Sequence, residues 1–175
     1  MLFKHRMNHL TWMILRVRIK PNKKGVLKML TTYKAVAKSL QDGLQVETKS
    51  RTFKIIQDEP KSFGGTDIGM SPVETLLCAL GACQAIVANA FAKAHGINLE
   101  GFRVELEGDI DLDGFRGKKG IRPGFQSIRY KMHFKTNDSA DKIEKFAEFI
   151  ERTCPVGDSL ENGVKLVNAG VIIED

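Results

Sequence analysis

Cysteine is scarce here: Cys78, Cys83 and Cys154 are the only three in 175 residues. With no secretory signal pattern beside them, three cysteines argue against a disulfide-stapled secreted scaffold. No histidine stands at ligand spacing from them, which argues against a zinc centre, and no metal or other cofactor is expected. Also missing are an apolar run near the length of a membrane span, about 18 residues or more, and any repeat or low-complexity tract. A soluble, cytoplasmic protein of one domain, with no membrane partner, is therefore expected, its thiols reduced unless they are used. Acidic residues are absent from positions 1–28, which hold eight lysines and arginines. Removing those eight from the 27 basic residues leaves 19 against 21 acidic ones, a body of net charge −2. A nucleic-acid partner needs a basic face on the folded domain, and the formal charge of +6 belongs instead to one end of the chain.

That basic end, residues 1–28, has two readings, with the domain proper spanning 29–175. Either Met29 is the start and the segment is an upstream extension, or Leu15, Val17 and Ile19, alternating with Arg16, Arg18 and Lys20, form an added strand. Pro21 to Gly25 then makes the turn after it. Farther on, Tyr33 to Leu40 alternates, Asp42-Gly43 is a two-residue hairpin signal, and Leu44 to Thr48 resumes the alternation. Arg51 to Gln57 reads as a further strand, and residues 60–70, with Gly64-Gly65, as a loop.

Ser71 opens a helix as N-cap, with Pro72 in the first helical position and Glu74 completing a capping box. The helix should run to about His95, where Gly96 supplies a left-handed stop, a length of roughly 36 Å. Thr75 to Phe91 carries almost no charge, so the helix should be covered on most sides. Its small residues, Ala79, Gly81, Ala82, Ala85 and Ala88 among them, admit close neighbours. A single chain of this size has few elements to enclose such a helix, and a second copy is expected to supply part of the cover. Gly101 to Leu112 and Ile128 to Lys135 alternate as strands around a Gly-rich loop, residues 114–125. Ser139 or Asp138 caps a second helix with Ile143, Phe146, Ala147 and Ile150 inward, and Cys154 on that stripe where Pro155 ends it. Val164 to Ile173 reads as a closing strand.

Cys83 on the apolar helix and Cys154 at the end of the second helix suggest redox chemistry, with small buried core residues as the plain alternative. Cys78 lies about 140° around the helix from Cys83 and reads as core.

Three motifs in this order of strands and helices resemble the OsmC/Ohr family. They are Gly64-Gly-Thr-Asp-Ile-Gly-Met-Ser-Pro-Val-Glu-Thr-Leu-Leu-Cys-Ala-Leu-Gly-Ala-Cys83, Gly120-Ile-Arg-Pro-Gly-Phe-Gln126 and Cys154-Pro-Val-Gly157. The resemblance covers residues 33–173. It implies an α+β fold, with a long central helix and a second helix on antiparallel-rich sheets, in an intertwined homodimer with two sites at the subunit interface. It further implies that Cys83 attacks an organic hydroperoxide, that Cys154 resolves the sulfenic acid as a disulfide, and that a dithiol reductant restores both thiols.

Thiolate is the nucleophile, and an ordinary cysteine is only about 3% ionised at pH 7. Cys83 lies about three turns into its helix, beyond the local reach of the helix dipole, so a cation has to supply the activation. Here the chain departs from the family: Gln41 stands where its activating arginine belongs, and Val73 where the glutamate that orients that arginine belongs. The chain is thus closer to the broader OsmC-like branch than to the dedicated hydroperoxide resistance proteins. Arg51 and Arg122 are the candidate replacements, each with a plain structural alternative, and Glu74 is one residue, about 100°, from the glutamate position. Phe63 and Phe125 could wall an organic substrate or serve packing. Two function classes follow: a thiol-dependent reductase of organic hydroperoxides, or a redox-sensing or sulfur-carrying protein on the same fold.

Overall fold

The computed structural model describes residues 18–21, 27–41 and 43–174. It divides between Gly69 and Met70 into two compact units, each described by itself.

In the first unit, β1 (Arg18–Pro21) pairs antiparallel with β2 (Leu27–Leu30). Of the segment read as an added strand, Arg18 to Lys20 lie in β1, while Leu15, Arg16, Val17 and the turn residues 22–25 lie outside the described residues. A second sheet runs β3 (Val36–Ser39), β4 (Val46–Ser50), β5 (Phe53–Gln57), antiparallel throughout. The first connection of this sheet is longer than a two-residue turn, because the ladder ends at Ser39 opposite Val46 and Leu40 N–H donates to Gln45 O at 2.8 Å. Asp42 lies outside the described residues. The strand expected from Arg51 begins two residues later, since Arg51 and Thr52 form the turn between Ser50 and Phe53. Arg51 has φ 56°, a left-handed conformation uncommon for a residue other than glycine or asparagine.

After β5, buried Asp58 organises the glycine loop. Its carboxylate accepts from Glu59 N at 2.8 Å, Thr66 N at 2.9 Å, Thr66 Oγ1 at 2.5 Å and Ile68 N at 3.3 Å. These bonds, led by that from the Thr66 hydroxyl, hold the carboxyl below its ordinary range. A Cβ on Gly65 would sit 1.8 Å from the Glu59 carbonyl oxygen, so the loop closes only with glycine there.

The second unit is built on α1 (Pro72–Phe91), which packs against β6 (Gly101–Ile110), α3 (Ala140–Thr153) and α4 (Pro155–Asn162). Its beginning matches the capping box, and its end passes through a 3-10 turn at Lys93–His95 to Gly96 at φ 67°. Gly81 faces Leu106 so closely that a Cβ would lie 2.7 Å from its Cδ1, which shows what the small residues of α1 allow. β6 pairs antiparallel with β7 (Phe125–Lys135), Leu106 opposite Tyr130 and Glu107 opposite Arg129. The outer face carries paired opposite charges, with Arg129 bonded to Glu107 and Asp109, and with His133 Nε2 lying 3.1 Å from Glu105 Oε2. On the inner side Val87, Ala88, Ala92, Ile97, Phe146 and Ile150 form the core, joined by Phe102, Met132 and Phe134.

Four expectations need correction. The loop at 114–125 contains a short helix, α2 (Leu112–Phe115), capped by Asp111, whose side chain accepts from Asp113 N at 2.9 Å. Pro155 ends α3 and also opens α4, because its fixed φ suits a first helical position, with Cys154 as the extended residue between the two helices. Residues 163–174 form no strand, and Leu166 is 92% exposed. Alternation marks a segment that can pair, but a ladder needs a neighbouring strand. The partial cover of α1 by the described residues, by contrast, is what its apolar composition leads one to expect. Only Leu80, Gln84, Val87 and Ala88 of it are buried, and Ile86 is 68% exposed. Among the described residues, α1 is also the one helix long and apolar enough to cross a bilayer, contrary to the reading that no such run exists.

Candidate active site

The carboxylate of Glu74 accepts from the Ser71 N–H at 2.7 Å and the Ser71 hydroxyl at 2.9 Å, and the Ser71 Oγ accepts the Glu74 N–H at 3.4 Å. Those bonds hold the Glu74 carboxyl below its ordinary range. Glu74 is thus engaged in fixing where α1 starts, and through that start it sets the position of Cys83.

Cys83 and Cys154 come together. Cys83 lies near enough to Cys154 and to the Val156 N–H for both to act on its thiol, while Cys154 Sγ accepts the Gly157 N–H at 3.3 Å. The break at Pro155 makes this possible, because α4 starts with free N–H groups that point back at the sulfurs. Cys154 is buried and Cys83 half-buried, and all three cysteines are free thiols. Burial pushes the Cys83 thiol up from its ordinary value, the neighbouring Cys154 thiol pushes it further, and the Val156 N–H opposes both. Among the described residues, no cation is one of the groups that shift it.

The other sequence candidates fall elsewhere. Arg51 belongs to the first unit, in the β4–β5 turn, with its guanidinium 4.9 Å from the centre of the Phe53 ring. Arg122 donates to the Phe125 carbonyl, and its own carbonyl accepts from Gln126 Nε2 at 2.8 Å, so it braces its own loop. Cys78, read as core, is exposed, with its sulfur 3.7 Å from Met70 Sδ, because among the described residues little covers that side of α1. Phe63 is exposed in the glycine loop, whereas Phe125 packs onto Gly108. Among the described residues no cluster of three or more His, Cys, Asp or Glu could hold a metal ion.

Next to the thiol pair a cavity of about 610 Å³ opens, lined by Leu80 and Gln84, which flank Cys83 on α1, and by Gly157, which holds Cys154. Arg122, Phe125, Tyr130 and Glu151 form other parts of its wall. Tyr130 donates its hydroxyl to Glu151 Oε1 at 3.1 Å, and burial together with that carboxylate pushes the phenol up to about 12. Sequence reasoning missed Gln84 and the Tyr130–Glu151 pair. Gln84 carried a usable signal, as an uncharged polar residue four positions after Leu80 on an otherwise apolar stripe, whereas nothing in the sequence joins residue 130 to residue 151.

Two adjacent thiols, one on a central helix and one between two helices, beside an apolar cavity on an antiparallel α+β frame, define a class of thiol proteins. The chain belongs to the OsmC-like protein family, whose model matches residues 64–167. It is 27% identical over 122 residues to a hydroperoxide reductase of Mycoplasma genitalium, covering 69% of this chain and 82% of that one. The hydroperoxide reductase of Mycoplasma pneumoniae is 26% identical over 106 residues, covering 60% and 72%. Among solved structures, an OsmC-like protein from Mycoplasma pneumoniae superposes with a TM-score of 0.67 at 25% identity, covering 76% of this chain and 89% of that one. An organic hydroperoxide resistance protein from Legionella pneumophila shares the fold, with a TM-score of 0.59 at 20% identity over 78% and 93% of the two chains.

Proposed function

We propose that this protein reduces small organic hydroperoxides with Cys83 as nucleophile and Cys154 as resolving thiol, in oxidative-stress defence in the cytoplasm. The observation that carries the reading is the closeness of the two thiols, brought from separate helices to the edge of one cavity, and the names of the Mycoplasma relatives agree with it. In the first step the Cys83 thiolate attacks the terminal peroxide oxygen. An S–O bond forms, the O–O bond breaks, and the alkoxide leaves with a proton as alcohol. Cys154 sulfur then attacks the sulfenic acid, and a Cys83–Cys154 disulfide and water result. A dithiol reductant returns both thiols by exchange. No cofactor has a part in these steps.

The working form is a homodimer. Apolar side chains stay open along α1, on the β3–β5 sheet, where Val36 is 67% exposed, and along residues 164–173, and a monomer rarely leaves so much apolar surface uncovered. Assembly also brings the missing charge: Arg51 is the candidate activating cation, since Arg122 is engaged with its own loop, and Glu74 acts by placing α1.

A second reading has its own support. A Cys83 thiol held above its ordinary range suits a redox-sensing or sulfur-carrying protein that turns peroxide over slowly. Steady-state consumption of cumene hydroperoxide with a dithiol such as dihydrolipoamide separates the two. Turnover that is lost in Cys83→Ser and stalls after one cycle in Cys154→Ser is expected of the reductase. A disulfide that forms without sustained turnover would replace it with the sensor.

A further inference from the structure

The cavity beside the thiols has a polar lining of uneven sign. Val73, Leu76, Leu80 and Gln84 follow one another at spacings of three and four along α1, so one stripe of that helix forms a wall. Three members are apolar and the fourth is Gln84. Gln84 is 2% exposed, and its Oε1 has no hydrogen-bond partner among the described residues. A buried amide oxygen without a donor is costly, on the order of 1–3 kcal/mol, and such groups are normally satisfied. Across the cavity stand Glu151 from α3 and Glu161 from α4. Both carboxylates act on Tyr130, which also lines the wall and donates to Glu151. The remaining polar lining is Gln126, Ser127 and one cation, Arg122, whose guanidinium is bonded to the Phe125 carbonyl.

From this lining we infer that the cavity binds a small organic molecule with an apolar body and a hydrogen-bond donor, uncharged or cationic, and discriminates against carboxylates. The donor is met by Gln84 Oε1 once that buried side chain turns toward the cavity it lines, and the apolar body lies on Leu76, Leu80 and Phe125. A carboxylate would bring a third negative charge beside Glu151 and Glu161 and no donor for Gln84. The volume, about 610 Å³, is in the range of small-molecule sites. The inference deepens the hydroperoxide reading and rests on it in one respect, the identity of the donor as an O–O–H group. Under that reading the substrates are neutral alkyl or aryl hydroperoxides rather than fatty-acid hydroperoxides.

Unreactive probes test the binding apart from the chemistry. Three share one body: 2-phenylpropan-2-ol, the cationic 2-phenylpropan-2-amine, and anionic 2-methyl-2-phenylpropanoate. Cumene, without a donor, is the control. Affinities come from titrations of the wild-type protein followed by ¹⁵N–¹H spectra, in which the Gln84 side-chain amide reports directly. The alcohol and the amine should bind at least tenfold more tightly than the carboxylate and shift the Gln84 signal, and cumene should bind more weakly than the alcohol. In Glu151→Gln/Glu161→Gln, two exposed positions where a glutamine oxygen can still accept the Tyr130 hydroxyl, the disadvantage of the carboxylate should shrink at least threefold. Equal or tighter binding of the carboxylate through Arg122 would overturn the inference, as would an unchanged ratio in the double variant. Binding of none of the probes would overturn it too, since the cavity would then be filled in the assembled protein. The two readings fail separately. Probe preferences without hydroperoxide turnover would end the reductase reading and leave this one standing, while turnover without charge preference would do the reverse.

Discussion

Replacing Cys154 with alanine should make Cys83 more reactive at neutral pH. The Cys83 thiol is held protonated first by burial and then by the neighbouring thiol of Cys154, whose own charge, when ionised, would add repulsion. Alanine removes both contributions of Cys154 and leaves the Val156 N–H, which favours the thiolate. An interaction of hydrogen-bond strength is worth about 0.5–1.5 kcal/mol, which converts to a two- to tenfold gain in the thiolate fraction. The assay is the initial rate of iodoacetamide labelling at Cys83 between pH 6 and 10, in a Cys78→Ser background so that no exposed thiol competes. Cys154→Ser, which keeps a hydroxyl in place, should gain less than Cys154→Ala. A Cys154→Ala rate at pH 7 equal to or below that of the parent would refute the argument, because it would mean that Cys154 does not hold the Cys83 proton.

Other outcomes follow from the same geometry. Arg122→Met should leave the Cys83 titration unchanged and increase amide exchange in residues 121–126, since the guanidinium braces the Phe125 carbonyl; a labelling rate at pH 6.5 reduced tenfold would show that Arg122 activates the thiol after all. Asp58 is held below its ordinary range by the Thr66 hydroxyl and three backbone N–H groups, so the order it confers is complete above about pH 3.9 and fades as pH falls through its lower folded value. The Thr66 and Ile68 amides should therefore lose exchange protection in acid, and Asp58→Asn should lose it at pH 7 already. In sedimentation at micromolar concentration the protein should have twice the mass of one chain, and a stable monomer would mean that the open faces of α1 and β3–β5 need no partner.

How far the sequence carried depended on the range of the interactions. Ser71, Pro72 and Glu74 specify the start of α1 within four residues, and Gly96 specifies its end, so that helix was legible. The strands β6 and β7 were legible from their alternation, as was the inward stripe of α3 from Phe146 and Ile150. The second role of Pro155 was hidden, because the same proline that stops one helix is an ordinary first residue for the next. Residues 164–173 misled because a period of two reports pairing capacity and not the partner. In the site, the cysteines could be singled out from their settings. Their contact could not, since it depends on where α4 turns back toward α1 after Cys154. Asp58 read only as the end of a strand, although its carboxylate closes the loop through residues eight and ten positions away.

The most direct measurement is the covalent state of the cysteines after one equivalent of cumene hydroperoxide, read by peptide mass mapping of the wild-type protein without reductant. An intramolecular Cys83–Cys154 disulfide, formed with release of one equivalent of alcohol, is the expected product. A Cys83–Cys78 bond, or Cys83 oxidised beyond the sulfenic acid while Cys154 stays a free thiol, would contradict the pairing of nucleophile and resolving thiol.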